Sequence, residues 1–307
     1  MAQALVICGP TSVGKSAIAL AVASQLGAEI VNADSRQIYR GMDVGTGMPT
    51  AGDLALVPHH LYGFLDPAHR YSAARYVHDA GEAIHGIWSR GRLPIVVGGT
   101  GFYIEALTGS MPLDRPPGED ALRARLRFEA NVHPPGVLWE WLLAIAPERA
   151  AETRAGDSYR IMRALEAELA GRGERVVRAP VSDVGGTVRG EVVVLRLARE
   201  RLRARIASRV QAMFAQGLVA EAEAVRAAAG DAPALSGLGY AEALTLLDGL
   251  ATEAEALAST IRRTRSYAKR QETWFRRMHR ALALDAGDAD GAIRAIVALA
   301  RERLVPA

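Results

Sequence analysis

The chain has 307 residues, half of them apolar, which is enough for one large domain or two ordinary ones with a proper core. Lysine and arginine outnumber aspartate and glutamate by 37 to 34; the net charge of +3 does not demonstrate a nucleic-acid partner and is compatible with one. A single cysteine, Cys8, excludes an internal disulfide and any multi-cysteine metal site, and no apolar run approaches the roughly 20 residues of a membrane helix, so the expected compartment is the reducing cytoplasm, with no membrane partner.

The first element is the apolar run Leu5, Val6, Ile7 and Cys8, which reads as a buried strand with Cys8 as core filler. It leads into Gly9, Pro10, Thr11, Ser12, Val13, Gly14, Lys15 and Ser16, the pattern of a phosphate-binding loop, and then into a predicted helix over Ala17 to Leu26. Gly9 and Gly14 let the backbone turn and approach a ligand closely, so that amide groups converge on phosphate oxygens at the positive end of the helix. Lys15 would reach the phosphates as a point charge, and Ser16 would offer its hydroxyl to magnesium. Lys15 and Lys269 are the only lysines, every other cation being arginine, which makes a lysine at this position informative.

A second strand, Glu29 to Asn32, ends in NADSRQIYRGMDVGTG, Asn32 to Gly47. In a parallel sheet its carboxyl end is expected beside the phosphate loop, with Asp34 as magnesium ligand or general base, or else Asp34 or Ser35 as a helix N-cap. His59 and His60 fall in a predicted loop without partners at metal-ligand spacing and are assigned no metal. Apolar residues at helical spacing predict an amphipathic crossover helix over Ala73 to Arg90, followed by a strand at Leu93 to Val97. That strand runs into Gly98, Gly99, Thr100 and Gly101 with no acidic end, which weighs against a motor-type ATPase. Thr100 is either a ligand contact at the same mouth or part of a glycine turn.

Strands separated by helices make the fold class α/β, a parallel sheet flanked by helices. After Met111 the texture becomes helical, with candidates at Glu119 to Ala130, Gly136 to Ile145, Pro147 to Thr153 and Asp157 to Gly171. Residues 113–189 are read as a helical insertion domain; residues 1–112 and 190–307 form the core, which resumes with a strand at Val192 to Leu197. Helices follow at Arg199 to Gln216 and Leu218 to Ala229, then shorter ones. Arg262 to Arg280 is densely basic, with Tyr267, Trp274 and Phe275 interleaved: an RNA-facing surface, or an amphipathic helix whose aromatics face the core.

Taken together these stretches resemble the tRNA dimethylallyltransferases (tRNA isopentenyltransferases). The resemblance runs through GPTSVGKS, ADSRQIYRGMDVGTGMP, PHHL, GGTGFYIEAL, YRIMRALE, GLGYAEAL and YAKRQETWFRR, and so spans nearly the whole chain. It implies a P-loop NTPase-like fold used without nucleotide hydrolysis. The implied reaction moves a dimethylallyl group from dimethylallyl diphosphate to N6 of the adenosine at position 37, 3′ of the anticodon. By this resemblance Gly9 to Ser16 hold the diphosphate, with Lys15 and magnesium on Ser16 neutralising it. Asp34 takes the amino proton, while Thr100 contacts the acceptor or orients Asp34. Asp34, Ser35, Arg36, Gln37, Thr100, Arg123, Arg160, Arg163, Lys269 and Arg270 are the implied contacts to tRNA and its anticodon stem-loop. Arg205 and Arg209 are weaker candidates for diphosphate or RNA. The family's usual aspartate before Arg199 is Ala198 here.

Three other readings stay open: transfer to a free adenine nucleotide, a phosphate-loop kinase, and a non-catalytic RNA-binding protein. No hydrophobic seam stands out, so a monomer is expected.

Overall fold

The structure, a computed structural model, describes residues 3–109, 120–132, 136–169 and 188–304. Its strands are β1 (Gln3–Cys8), β2 (Glu29–Asn32), β3 (His59–His60), β4 (Pro94–Gly98), β5 (Arg189–Arg196) and β6 (Leu282–Asp285). They form one sheet in the order β3-β2-β4-β1-β5-β6, with every neighbouring pair parallel. β1 is central, Ile7 pairing with Val97 on one side and Val193 on the other. A strand covered on both faces reads as a continuous apolar run, which is why Ala4 to Cys8 are all buried.

The first helices are α1 (Lys15–Leu26), α2 (Asp43–Thr46), α3 (Ala51–Leu56), α4 (Ala73–Ser89) and α5 (Gly101–Leu107). α4 starts on Ser72, whose hydroxyl accepts from the Arg75 amide, and buries Tyr76, Val77, Ala80, Ile84 and Ile87. Each large side chain among these contributes about 1.5–3 kcal/mol on burial, more than helix propensity supplies over the same length.

The chain divides into two compact units, Met1–Met111 with Val181–Ala307, and Pro112–Pro180. The second unit carries α6 (Asp120–Val132), α7 (Val137–Ile145), α8 (Pro147–Glu152) and α9 (Ser158–Leu169) around Leu126, Leu138, Leu142, Ile161 and Leu165. The first unit continues with α10 (Arg199–Ala215), α11 (Leu218–Ala229), α12 (Tyr240–Leu247), α13 (Glu253–Phe275) and α14 (Ala289–Arg303).

Several local expectations are corrected. β5 begins at Arg189, earlier than Val192. His59 and His60 form a short edge strand, not a loop. The chain after Ala229 is not only short helices: α13 alone has 23 residues, and β6 adds a strand beside β5. β6 was invisible because Leu282, Ala283 and Asp285 are exposed on a sheet edge, leaving no alternation to read. No helix among the described residues is long and apolar enough to cross a membrane.

Candidate active site

The carboxyl ends of β1, β2 and β4 carry, in turn, the phosphate loop, Asp34 and Thr100. β4 lies between β1 and β2, so the end of β2 is not directly beside the phosphate loop as expected. The gap is crossed because β4 ends in glycines. A side chain at Gly98 would stand 2.1 Å from the Ala33 carbonyl, and one at Gly99 would strike Gln271 at 2.4 Å and reach contact with the Lys15 ammonium at 3.5 Å. With only hydrogens there, Lys15, Ser16 and Asp34 line one cavity of about 360 Å³.

The loop itself is shaped for an anion. Gly9 has φ +150° and its missing side chain leaves room for the Leu195 carbonyl; Gly14 has φ +110°. Ser12 adopts φ 63°, which is rare without glycine, and its buried hydroxyl has no partner among the described residues. Gly14 is the N-cap of α1 and supplies no side-chain cap, and the first turn has no acidic residue, so its leading amides are free to meet an anion. Lys15 donates to the Pro10 carbonyl at 2.9 Å. Burial lowers its pKa to about 8; Asp34 opposes that shift and Arg209 adds to it.

Three side chains from distant sequence hold this loop. Arg205 of α10 donates to the Val13 carbonyl at 2.9 Å. Arg209, one turn on, donates to the Thr11 hydroxyl at 3.3 Å and the Thr46 carbonyl at 2.9 Å, and burial lowers its pKa against the pull of Asp34. Gln271 of α13 accepts from the Thr11 amide at 2.8 Å and donates to the Gly99 carbonyl at 2.7 Å. Arg205 and Arg209 thus sit closer to the anion site than their weak standing in the sequence indicated. Gln271 carried no expectation beyond its place within YAKRQETWFRR.

Asp34 is held from both sides. Buried Asn32 accepts from the Asp34 amide at 2.8 Å, and its Nδ2 donates to the carbonyls of Asp34 at 3.1 Å and Leu61 at 2.9 Å. Asp34 Oδ1 accepts from the Arg36 amide at 2.9 Å. That bond closes a side-chain turn; no helix begins at Asp34 or Ser35, so neither is an N-cap. Thr100 Oγ accepts from the Ser35 amide at 3.0 Å and lies 3.3 Å from the Ser35 hydroxyl, while the Thr100 amide donates to Ala33 at 3.2 Å. Tyr267 faces the same cavity, its pKa raised to about 12 by burial and by Asp34.

Around this centre, Ser35, Arg36, Gln37 and Arg270 also line the cavity. Gln37 donates to the Gly47 carbonyl at 2.6 Å and Arg36 to the Ala234 carbonyl at 3.4 Å. Arg270 stands over the Tyr267 ring, 5.7 Å from its centre, and Lys269 beside it is exposed. The aromatics of α13 divide, with Phe275 buried, Trp274 packed where any side chain at Gly101 would stand, and Tyr267 in the cavity. In the second unit Arg160 pairs with Asp157 at 3.5 Å and Arg163 with buried Glu166 at 3.3 Å. The Arg123 side chain lies outside the described residues.

Among the described residues no group of three His, Cys, Asp or Glu could hold a metal. Magnesium keeps several waters and commonly takes one or two protein oxygens with substrate phosphates, so the Ser16 hydroxyl on the rim of this anion site fits it.

Comparison with known proteins gives consistent likenesses. The IPP transferase family model matches residues 37–278, and the isopentenyl transferase model matches residues 2–59. A tRNA dimethylallyltransferase of Anaeromyxobacter sp. (strain Fw109-5) is 44% identical over 279 residues, covering 90% of this chain and 92% of that protein. One of Halorhodospira halophila is 43% identical over 281 residues, covering 90% of each chain. The crystal structure of the full-length tRNA isopentenylpyrophosphate transferase of Bacillus halodurans superposes with a TM-score of 0.72 at 32% identity, covering 98% of this chain and 96% of that one.

Proposed function

The chain belongs to the tRNA dimethylallyltransferase family, a family of transferases, and from that premise we propose how its own residues carry out the transfer. The reaction is displacement of diphosphate from dimethylallyl diphosphate by N6 of the adenosine at position 37 of a tRNA. The observation that supports it most directly is that Asp34 and Lys15 face one cavity across the glycines of β4.

The leaving diphosphate lies on the amides at the start of α1, with Lys15, Arg205 and Arg209 around it. These cations stabilise the charge that grows on the bridging oxygen as the C1–O bond breaks. Magnesium, when bound through Ser16, supplies further neutralisation of the diphosphate. The N6 lone pair forms the new bond to C1, the C1–O electron pair leaves with the diphosphate, and the N6 proton goes to the Asp34 carboxylate. Asn32 and Thr100 position that carboxylate through the backbone on either side of it. Ser35, Arg36 and Gln37 border the base, and Arg270 with Lys269 meets the anticodon stem-loop.

An adenine in a loop is extruded from its stack at lower cost than one in a duplex, which favours an anticodon loop as the acceptor. The 112–180 unit, with Arg123, Arg160 and Arg163, adds RNA contacts that a free nucleotide would not need. The enzyme acts as a monomer in the cytoplasm. The test is labelled dimethylallyl diphosphate and magnesium with either an anticodon stem-loop or AMP. Label is expected in the stem-loop; label in AMP alone would overturn the reading.

A further inference from the structure

Arg205, Arg209 and Met213 lie at successive four-residue steps on α10, hence on one stripe of that helix, each ~6 Å beyond the last. The first two end on the phosphate loop, while Met213 lines the same cavity beyond them. The stripe therefore passes from two cations to an apolar thioether, in the order that a diphosphate followed by a hydrocarbon would require.

Leu238 and Tyr240, from the turn into α12, complete this apolar wall. Tyr240 is fixed in place. Its hydroxyl donates to Glu221 at 2.5 Å, and the same carboxylate accepts the amides of Asp43, Val44 and Gly45 at 2.7–2.9 Å. A side chain at Gly45 would stand 2.5 Å from the Tyr240 ring, so the ring is seated flush against that glycine. Behind it, fully buried Leu218 and Ala222 close the wall, and Met213 packs on the same cluster.

We infer that Met213 and Leu238, set against the immobile Tyr240 ring, form the end-stop that limits the donor hydrocarbon to five carbons. The inference rests on the prenyl-transfer reading above and names a determinant that reading lacks. Tyr240 supplies the rigid face. Met213 and Leu238 supply the volume that a second isoprene unit would have to displace.

The test compares dimethylallyl and geranyl diphosphates as donors for the full chain with the same anticodon stem-loop. In Met213→Ala and, from a different element, Leu238→Ala, kcat/KM for geranyl relative to dimethylallyl should rise about tenfold or more, the scale on which a few methylenes discriminate in an apolar pocket. Calorimetric binding of the two diphosphates should show the same relative rise without any acceptor. A ratio unchanged within about twofold, in either folded variant and in both measurements, would overturn the end-stop. If the unaltered chain transfers neither donor, the reaction reading fails, and the binding ratio still decides the end-stop by itself.

Discussion

Gln271 Oε1 accepts the Thr11 amide at 2.8 Å, so α13 grips the phosphate loop across 260 residues of sequence. Its Nε2 simultaneously donates to the Gly99 carbonyl at 2.7 Å, which ties the ends of β1 and β4 together through one buried side chain. Gln271→Glu keeps the first bond, loses the second, and places a carboxylate beside the anion site. Leaving a buried polar group unpaired costs about 1–3 kcal/mol. The variant should lose that much stability in urea unfolding, and its kcat/KM for the donor should fall by about tenfold or more. Wild-type donor kinetics in Gln271→Glu would show that the bridge does not shape the anion site.

That bridge also marks the limit of what the sequence reveals. The phosphate loop was legible because Gly9, Gly14, Lys15 and Ser16 act through their own local backbone. Asp34 was legible for its position after a strand. The side chains that fix both are harder to read: Asn32 is only the last residue of a predicted strand, Gln271 one polar position in a basic stretch, and Arg209 no more than a weaker candidate for diphosphate or RNA. Each works through contacts set by strand order, and β4's insertion between β1 and β2 has no local signature. The spans of α4, α10 and α11 are readable from periodicity, whereas the 23-residue α13 is not legible as one long helix, and β3 and β6 are too short or too exposed to leave a pattern.

Donor capture should depend on the charge of Lys15. Burial brings its pKa to about 8 in the free protein, so the ammonium is present below that pH and is lost as the pH rises through it. The kcat/KM for the donor reports the free protein and should fall by about tenfold per pH unit above 8. Arg209 contributes to the lowering, so in Arg209→Ala the break should move to higher pH, whatever happens to the absolute rate. A profile flat to pH 10 would remove Lys15 from donor capture.

At the opposite end of the sheet, buried Glu29 accepts from His60 and Arg90, each at 2.7 Å, with Arg92 at 3.6 Å. Burial pushes its pKa upward, but these bonds outweigh burial and hold it below the ordinary 4.5. A carboxyl lowered on folding contributes stability above its unfolded value, and that contribution disappears as the pH falls through the folded value. Because Arg90 and Arg92 are half exposed, Glu29→Gln strands no buried charge and should cost only about 1–2 kcal/mol at neutral pH. The deficit should shrink as the pH falls below the ordinary 4.5 toward the lower folded value, and kcat should be unaltered, since Glu29 sits at the amino end of β2 and Asp34 lies beyond its carboxyl end.

The N-cap of α10 is Ala198, whose backbone is non-helical (φ −51°, ψ 134°) and which has no side-chain acceptor for the first amides. This is the position where the family's usual aspartate is missing. Ala198→Asp should gain about 0.5–2 kcal/mol, read as a raised unfolding temperature. A lower temperature would mean that Glu200 in the first turn, a like charge, outweighs the cap.

Asp34 is the residue whose chemistry and architecture can be separated by a single atom change. Its Oδ1 closes a turn on the Arg36 amide, and asparagine retains an oxygen able to accept that bond; Asn32 grips only the backbone of residue 34. Asp34→Asn should therefore fold with the native turn and keep the cavity, while losing the group proposed to take the N6 proton. Turnover should fall by about two to four decades, the usual size of a general-base contribution. Removing a negative charge from the neighbourhood of Lys15 and Arg209 should meanwhile tighten donor binding, because the repulsion between carboxylate and diphosphate disappears. Asp34→Ala removes the turn as well and should lose stability in addition to turnover. If Asp34→Asn turns over within about threefold of the unaltered chain, the carboxylate is a structural turn element and the proton leaves by another route.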